Sequence, residues 1–164
     1  MPFEIPQNLH PNLHKFAWLL GVWEGGGDGD YPTIEKFKFG QEVIFQQDGR
    51  PFMHYMARSW IVDDEGNKVR EAAQETGFMR CMEDGSVELL LTHNTGVMAL
   101  WHGKVDGAKL ELSTDAVLRT ETAKEVTAGH RLYGLVEGDL WFAFDMAAMG
   151  QELQPHLWGK LVRR

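Results

Sequence analysis

The stretch between Pro51 and Pro155 contains no proline, and this absence constrains the fold more than any other feature of the 164-residue sequence. Proline removes a hydrogen bond from the ladder of a sheet, so a long proline-free stretch suits a sheet interior. Turn sequences recur at the intervals of hairpin connections: Asp48-Gly49, Asp63 to Asn67, Glu83-Asp84-Gly85, Asn94-Thr95-Gly96, Asp106-Gly107 and Glu137-Gly138-Asp139. The sequence therefore predicts a long antiparallel meander.

Between these turns the residues alternate with a period of two. Residues 33–45 place Phe37, Phe39, Val43 and Phe45 on one side, and the same alternation runs through residues 87–93, 97–105 and 140–146. A period of two is typical of a half-buried strand, and the whole pattern predicts about ten strands. The exception is Pro11 to Leu20, where a proline and helical spacing of apolar residues predict a short helical segment that covers one end.

About ten consecutive antiparallel strands must protect their edges, and closure into an up-and-down barrel removes the edges altogether. We therefore expect an all-β fold with an antiparallel barrel, and a β-sandwich is the alternative. A barrel of this strand number is wider than side chains fill conveniently, so it predicts an interior cavity for one small molecule. We expect a single domain over residues 1–164, with residues 1–12 as an N-terminal extension.

Composition narrows the functional classes. Sixteen Lys and Arg against twenty-four Asp and Glu give a net charge of −8, which argues against nucleic acid as a partner. The single cysteine, Cys81, excludes an internal disulfide framework and fits a reducing compartment. The longest apolar run, residues 16–23, is far shorter than the roughly 20 residues of a membrane helix, and the N-terminus does not resemble a secretory signal. We expect no membrane association and a cytoplasmic location.

Familiar catalytic and metal motifs are not found. The glycine-rich segment 25–30 matches neither a nucleotide-binding loop nor a calcium loop. The seven histidines contain no spacing typical of zinc sites, and taken singly each is more often a surface or hydrogen-bonded residue than a ligand.

Glycines at alternate positions after Trp23 leave one face of the first strand without side chains. Two interpretations are compatible. The bare backbone lets the barrel coil sharply, with Trp23 closing one end under Arg163 or Arg164. Alternatively, Gly25, Gly27 and Gly29 leave room for a flat ligand to lie against the strand.

Six segments in order along the chain resemble the nitrobindin family from about Leu13 to Arg163. They are Gly21-Val22-Trp23-Glu24-Gly25-Gly26-Gly27, Tyr31-Pro32-Thr33-Ile34, Arg119-Thr120, Thr122 to Ala128, Asp145-Met146-Ala147-Ala148 and Gln154-Pro155-His156-Leu157. The resemblance implies a ten-stranded barrel, similar to lipocalins and fatty-acid-binding proteins, that holds one ferric haem b per chain. It further implies nitric oxide binding, isomerisation of peroxynitrite to nitrate, and a possible homodimer.

In that family a histidine of the C-terminal motif, here His156, holds the iron. The resemblance implies that one imidazole nitrogen binds iron, that the other ring nitrogen needs a hydrogen-bond partner, and that the opposite face of the haem stays open. Lys124 is a candidate partner of a haem propionate, although a lysine at a barrel rim is often merely solvated. Further candidate cofactor-binding residues are Gly25, Gly27, Thr33, Ile34 and Met146, of which the last three are equally compatible with ordinary strand or core positions.

The sequence departs from the family pattern at two places. Ala72-Ala73 precedes Gln74-Glu75-Thr76-Gly77-Phe78 where relatives often carry Met-His, so we expect the polar group on the distal side of the haem to be missing. Trp158 next to the motif of His156 either lies outside or crowds the site. Both changes predict weaker haem retention and altered ligand selectivity.

Two other functions remain open at this point. One is a non-enzymatic carrier of a fatty acid or another apolar molecule, which would favour an Arg/Tyr cluster for a carboxylate over an imidazole at position 156. The other is a haem-sensing module that reports to a partner protein.

Overall fold

The structure is a computed structural model that describes residues 3–164, and it contains one 3-10 helix and ten antiparallel strands in a closed barrel. The strand order around the barrel is β1-β10-β9-β8-β7-β6-β5-β4-β3-β2, so neighbours in sequence pair and β1 closes on β10. The predicted all-β up-and-down barrel is confirmed, and the sandwich alternative is wrong. The helix spans Pro11–Leu19, and the strands are β1 (Gly21–Tyr31), β2 (Ile34–Gln46), β3 (Phe52–Val62), β4 (Lys68–Cys81), β5 (Ser86–His93), β6 (Val97–Asp106), β7 (Lys109–Arg119), β8 (Val126–Val136), β9 (Asp139–Ala148) and β10 (Gln154–Arg163).

The 3-10 helix covers one end of the barrel. Pro11 occupies its first turn, where a missing N–H costs no hydrogen bond, and the ring of His10 caps the turn by accepting from the backbone N–H of Asn12. Leu13, Phe16 and Leu19 are fully buried in the core. Among residues 3–164 no helix has the length and apolar character needed to cross a membrane.

Trp23 closes the same end from inside. Its ring is fully buried, its Nε1–H donates to the carbonyl of Leu19 at 2.8 Å, and the guanidinium of Arg163 lies 4.1 Å from its ring centroid. Arg163 also donates to the carbonyls of Trp18 and Leu20 and thereby ties the last strand to the helix. The structure therefore places Trp23 under Arg163, as the coiling interpretation predicts.

The glycines of β1 permit close packing of strands. A Cβ at Gly27 would overlap the backbone oxygen of Trp158 in β10, and a Cβ at Gly29 would overlap the ring of Phe37. The glycine-rich face is therefore occupied by neighbouring chain segments, and the strand can approach β10 closely because it lacks side chains there.

The strand ladders are irregular near the end of the barrel away from the helix. In β10, Pro155 pairs with Asp145 and Leu157 pairs with Phe144, which leaves His156 as an extra residue. In β1, Gly29 pairs with Phe37 and Tyr31 with Ile34, so the ladder is interrupted at Asp30. A bulge of this kind re-aims a side chain, and here two interruptions lie side by side.

The β7–β8 seam is the segment where these two strands separate. Their ladder pairs Lys109–Ser113 with His130–Gly134. Beyond it the Thr114 hydroxyl accepts from the backbone N–H of Gly129 at 3.1 Å and donates to its carbonyl at 3.4 Å. Beyond this point β7 pairs only with β6 and β8 pairs only with β9, up to the loop 120–125 at the end of the barrel away from the helix.

Candidate functional site

A cavity lies in the half of the barrel away from the helix. Its volume is about 200 Å³. Its wall is mostly apolar, with contributions from nearly every strand, and the helix and Trp23 close the barrel on the opposite side. The apolar lining includes Val43, Ala57, Val97, Ala99, Trp101, Val117, Val126, Phe142, Phe144 and Met146. The predicted interior cavity is present.

His156 lines this cavity because of the bulge in β10. On the regular part of the strand Leu157, Gly159 and Leu161 point inward, whereas Trp158 and Lys160 are exposed. A regular alternation would put His156 on the outer face with Trp158. The extra residue in β10 breaks this alternation and turns the imidazole into the cavity.

The imidazole of His156 is held in one tautomer. Its Nδ1 lies 3.0 Å from the backbone oxygen of Asp30, and since a carbonyl oxygen can only accept, Nδ1 carries the proton. Nε2 therefore presents a lone pair. Burial lowers the pKa of His156 more than the neighbouring Asp30 raises it, so the ring is neutral at neutral pH. A neutral imidazole with its second nitrogen so fixed is the form that binds a metal.

Three aromatic rings surround His156. The centroids of Tyr31, Phe144 and Phe37 lie 5.3, 6.0 and 6.3 Å from that of the imidazole, each in an edge-on arrangement. The Tyr31 hydroxyl accepts from the backbone N–H of Ala148 at 2.8 Å and lies 3.0 Å from the carbonyl oxygen of Met146, to which it can donate. Packing and these hydrogen bonds restrict the imidazole to one orientation.

A buried ion pair forms the inner part of the cavity wall. Arg131 is 6% exposed, and its guanidinium donates to both carboxylate oxygens of Glu75, at 2.5 and 2.7 Å. Tyr55 donates to the same carboxylate at 2.6 Å, and Arg131 donates to the Tyr133 hydroxyl at 3.3 Å. The guanidinium also lies 4.7 Å from the ring centroid of Trp101. Such a bidentate pair with further hydrogen bonds is the geometry that offsets the desolvation of both charges.

Glu75 and Arg131 both remain ionised although they are buried. Burial alone would raise the pKa of Glu75, but the charge and hydrogen bonds of Arg131, with smaller contributions from His93 and Tyr55, lower it to about 2. Burial likewise opposes the charge of Arg131, and Glu75 outweighs burial and raises the pKa of the guanidinium well above its usual range. Glu75 is therefore an anion, and only an acceptor of hydrogen bonds, at neutral pH.

His93 extends this cluster toward the mouth. Its Nδ1 lies 3.2 Å from Oε2 of Glu75, and its side chain is 17% exposed and lines the cavity. Burial lowers the pKa of His93 more than the charge of Glu75 raises it, and Arg131 lowers it further. The ring is therefore neutral at neutral pH.

The structure brings some of the predicted site residues together and separates others. His156 and Met146 both line the cavity. Thr33 lies in the turn between β1 and β2, Ile34 begins β2, and Lys124 lies in the loop between β7 and β8; all three are exposed. These segments are at the mouth end of the barrel.

Gly25 and Gly27 lie in β1 against the backbone of β10 and do not belong to the cavity lining. Trp158 is 41% exposed on the outer face, so it does not crowd the site. This is the first of the two arrangements considered for it.

Sequence reasoning missed the inner polar cluster. Alanine at positions 72 and 73 does not leave the cavity without polar groups, because Glu75, His93 and Arg131 all contribute to its wall. One signal was available: Arg131 and Tyr133 share the inward face of β8 with Gly129, and a charged residue at an inward position demands a partner. The sequence does not identify that partner, since Glu75 lies 56 positions away.

The donor set suits one kind of metal centre. Among the described residues no group of three or more His, Cys, Asp or Glu side chains is arranged to hold a metal ion. A single imidazole in an apolar cavity instead fits iron whose other ligands come from a porphyrin. Fold and site together define a haem-binding β-barrel.

Comparison with protein families agrees with this class. The model of the THAP4-like, heme-binding beta-barrel domain matches residues 12–163. The match covers nearly the whole sequence, and the chain therefore belongs to this family. The resemblance to nitrobindins is confirmed.

Individual relatives are similar over their full length. A peroxynitrite isomerase of a Nocardioides species is 68% identical over 164 residues, which cover all of both chains. A ferric nitrobindin-like protein of Cutibacterium acnes is 42% identical, with 99% of each chain covered. Among solved structures, the crystal structure of Rv2717c from M. tuberculosis superposes with a TM-score of 0.85 at 37% identity and covers 95% of this chain and 99% of its own.

Proposed function

We propose that the protein is a haem-dependent peroxynitrite isomerase that holds one ferric haem b per chain and also binds nitric oxide. The observation that carries the proposal is the imidazole of His156, whose Nδ1 proton is held by the carbonyl of Asp30 while Nε2 presents its lone pair. The names of the relatives, peroxynitrite isomerase and ferric nitrobindin-like protein, support the same activity and the ferric state.

In this mechanism the chain binds, orients and shields. His156 would hold the iron, and Asp30 and the three aromatic rings fix the direction of its imidazole and shield it from water. When bound, haem would supply the iron for the isomerisation of peroxynitrite to nitrate and for the reversible binding of nitric oxide. Because the helix closes one end, the mouth at the other end is the entrance to the cavity.

The rim residues are assigned supporting roles. Lys124 is exposed in the loop between β7 and β8, where its ammonium can pair with a propionate at the solvent edge. Thr33 and Ile34 flank the mouth at the start of β2, and Met146 adds a soft apolar contact inside the cavity. The close packing of Gly25 and Gly27 against β10 supports a role in the barrel wall rather than contact with haem.

A hemin titration of the metal-free protein tests the proposal. The wild type should give a saturable one-to-one Soret band, and His156→Ala should lose it while the barrel stays folded. His102→Ala is the matched control, because His102 lies on the outer face of β6 and is exposed. Stopped-flow mixing with peroxynitrite, followed by measurement of nitrate, then tests the activity. Wild-type haem affinity in His156→Ala would refute the axial assignment.

A carrier of fatty acids is the second candidate, and the Arg131, Tyr55 and Tyr133 cluster favours it. Such a cluster is the group expected to capture a carboxylate. Glu75, however, already binds the guanidinium through two hydrogen bonds, so an incoming carboxylate would have to displace a buried anion. Displacement of a fluorescent fatty acid by hemin at equal stoichiometry, with no Soret dependence on His156, would favour the carrier.

A homodimer is supported by an apolar outer face. Five large apolar side chains on adjacent strands β4 to β7 are exposed: Phe78, Leu90, Met98, Leu100 and Leu118. A contiguous exposed patch of this kind marks an interaction surface more often than a solvated one. Light scattering should give twice the chain mass for the wild type and the monomer mass for Leu118→Glu, whereas Trp141→Glu on the distant β9 should remain dimeric.

We further propose that residues 1–164 act as one domain, with residues 1–12 as an extension, in the cytoplasm. The barrel strands run from Gly21 to Arg163, which supports a single unit. Cys81 is buried and unpaired, as suits a reducing compartment.

A further inference from the structure

We propose that His93 is the proton acceptor on the ligand side of the haem, placed to take the proton of peroxynitrous acid as it enters the cavity. This role rests on the proposed function, because it requires haem bound at His156 with His93 on the other side of the cavity. The alanines at positions 72 and 73 predict no polar group on that side of the site, and His93 provides one.

The topology of the barrel puts His93 across the cavity from His156. In the ring β1-β10-β9-β8-β7-β6-β5-β4-β3-β2, strand β5 is five steps from β10 in either direction. The two strands are therefore diametrically opposite. His93 is the last residue of β5 and His156 is near the start of β10, so both lie toward the mouth, and both line the same cavity.

Glu75 determines which nitrogen of His93 can accept a proton. The carboxylate oxygen lies 3.2 Å from Nδ1, and Arg131 keeps the carboxylate ionised. A lone pair on Nδ1 would face the negative oxygen and be repelled by it, so the proton of the neutral ring is on Nδ1. Nε2 then carries the lone pair.

Burial favours the neutral ring that this role needs, and the buried Glu75 anion stabilises the cation that forms when the ring accepts a proton. The arrangement is that of a base next to a carboxylate, and Arg131 in turn holds the carboxylate through two hydrogen bonds. With the proton on His93, the cluster of His93, Glu75 and Arg131 carries a net charge of +1, and repulsion from Arg131 favours the return of the proton to solvent.

The chemical step is a simple proton transfer. The O–H bond of peroxynitrous acid breaks, its electron pair remains on the oxygen, and an N–H bond forms at Nε2 of His93. The peroxynitrite anion is released into the cavity, and the proton returns to solvent through the mouth. General-base assistance of this kind contributes about 10²- to 10⁴-fold to a rate.

Two small ligands distinguish the loss of a proton acceptor from a change in the space available inside the cavity. Hydrogen cyanide must lose its proton to bind ferric iron as cyanide, whereas nitric oxide carries no proton. Stopped-flow association of both is compared in the hemin-loaded wild type, in His93→Leu and in the outer-face control His102→Leu. We expect cyanide association to slow by about 10²-fold in His93→Leu, nitric oxide association to change little, and the control to match the wild type.

A second variant tests the same role with a polar side chain retained at position 93. His93→Gln keeps a polar side chain next to Glu75, but an amide is a far weaker base than an imidazole, so cyanide association should slow here as well. Near-UV circular dichroism and an unchanged Soret band show that each variant is folded and loaded.

Four results would overturn the role. Equal slowing of cyanide and nitric oxide would indicate a steric effect, and no slowing of cyanide would remove the proton acceptor. A low-spin ferric spectrum that becomes high-spin in His93→Leu would make His93 a second axial ligand. A wild type without any Soret band would refute the proposed function itself, and with it this role; the first three results leave haem binding through His156 intact.

Discussion

Replacement of Arg131 by methionine should reveal how much stability depends on the buried ion pair. The pKa of Glu75 is about 2, against an ordinary value of 4.5. At about 1.4 kcal/mol per pKa unit, this difference corresponds to about 3 kcal/mol. Arg131→Met removes that stabilisation and leaves a buried carboxylate with no counter-ion, for which losses of about 3–5 kcal/mol are typical. Domains of this size unfold with about 5–15 kcal/mol, so the variant should still fold.

The stability difference between the wild type and Arg131→Met should change with pH in a defined direction. In the wild type the folded-state pKa of Glu75 is depressed, so its contribution is full above pH 4.5 and is lost as the pH falls toward 2. In Arg131→Met the uncompensated burial raises the pKa of Glu75. The difference in stability between the two proteins should therefore be largest at pH 7 and should shrink as the pH falls through that raised value.

Urea unfolding of the metal-free proteins at pH 7 and pH 4 measures both effects. Arg131→Met with Glu75→Gln contains no buried charge and should recover most of the loss. Arg50→Met is the control, because the pair of Arg50 with Asp48 is exposed and should matter little. A stability of Arg131→Met within about 1 kcal/mol of the wild type at pH 7 would refute the stabilising role of the ion pair, as would a double variant no more stable than the single one.

Three further predictions concern the rim, the barrel wall and the lone thiol. Lys124→Ala should release haem to apomyoglobin several-fold faster without a change in unfolding temperature, because the side chain is exposed at the rim; a large drop in unfolding temperature would instead make it structural. Gly27→Ala should cost more than about 3 kcal/mol in urea unfolding, since the added Cβ overlaps the backbone oxygen of Trp158. Gly138→Ala, in a turn with open space and a φ of +85°, should cost only about 1 kcal/mol, and equal losses at the two sites would contradict the packing argument. Burial raises the pKa of Cys81 to about 12, so its reaction with Ellman's reagent at pH 8 should proceed only on unfolding, and prompt labelling of the native protein would refute this.

The barrel could be predicted from sequence because its rules are local. Alternation in β6 places Ala99, Trp101 and Val105 inside and leaves Leu100 exposed, as a period of two requires. The turn sequences mark the hairpins, and several of them contain the glycines with positive φ that tight turns favour, such as Gly96 and Gly107. Strand closure then follows from the need to protect edges.

The position of His156 could not be predicted in the same way. Counting by two from the buried Leu161 puts His156 on the outer face, and only the extra residue in β10 reverses this. A bulge has no reliable signature in the sequence, so the resemblance to a family supplied what alternation could not. The partner of its Nδ1 is a backbone carbonyl, for which side-chain identity carries no information.

The inner cluster of polar residues is a second feature that could not be predicted from the sequence. Glu75, His93 and Arg131 belong to β4, β5 and β8, and only the closed topology brings these strands around one cavity. Alternation indicates that each side chain faces inward or outward, but the distance between strands that do not pair is a property of the whole barrel. Contacts between such strands therefore follow from the fold and not from the pattern.

The barrel is closed, but β7 and β8 are unpaired over part of their length. The β7–β8 seam is therefore a short free edge. The ladder there ends at Ser113 and His130, and the Thr114 hydroxyl takes the place of one backbone partner. Backbone amides in such a place are protected by fewer hydrogen bonds, so their hydrogen exchange should follow local opening at a free energy well below that of global unfolding. We therefore expect the rolled sheet to open locally along this line, beside the cavity it encloses, before its fully paired strands separate.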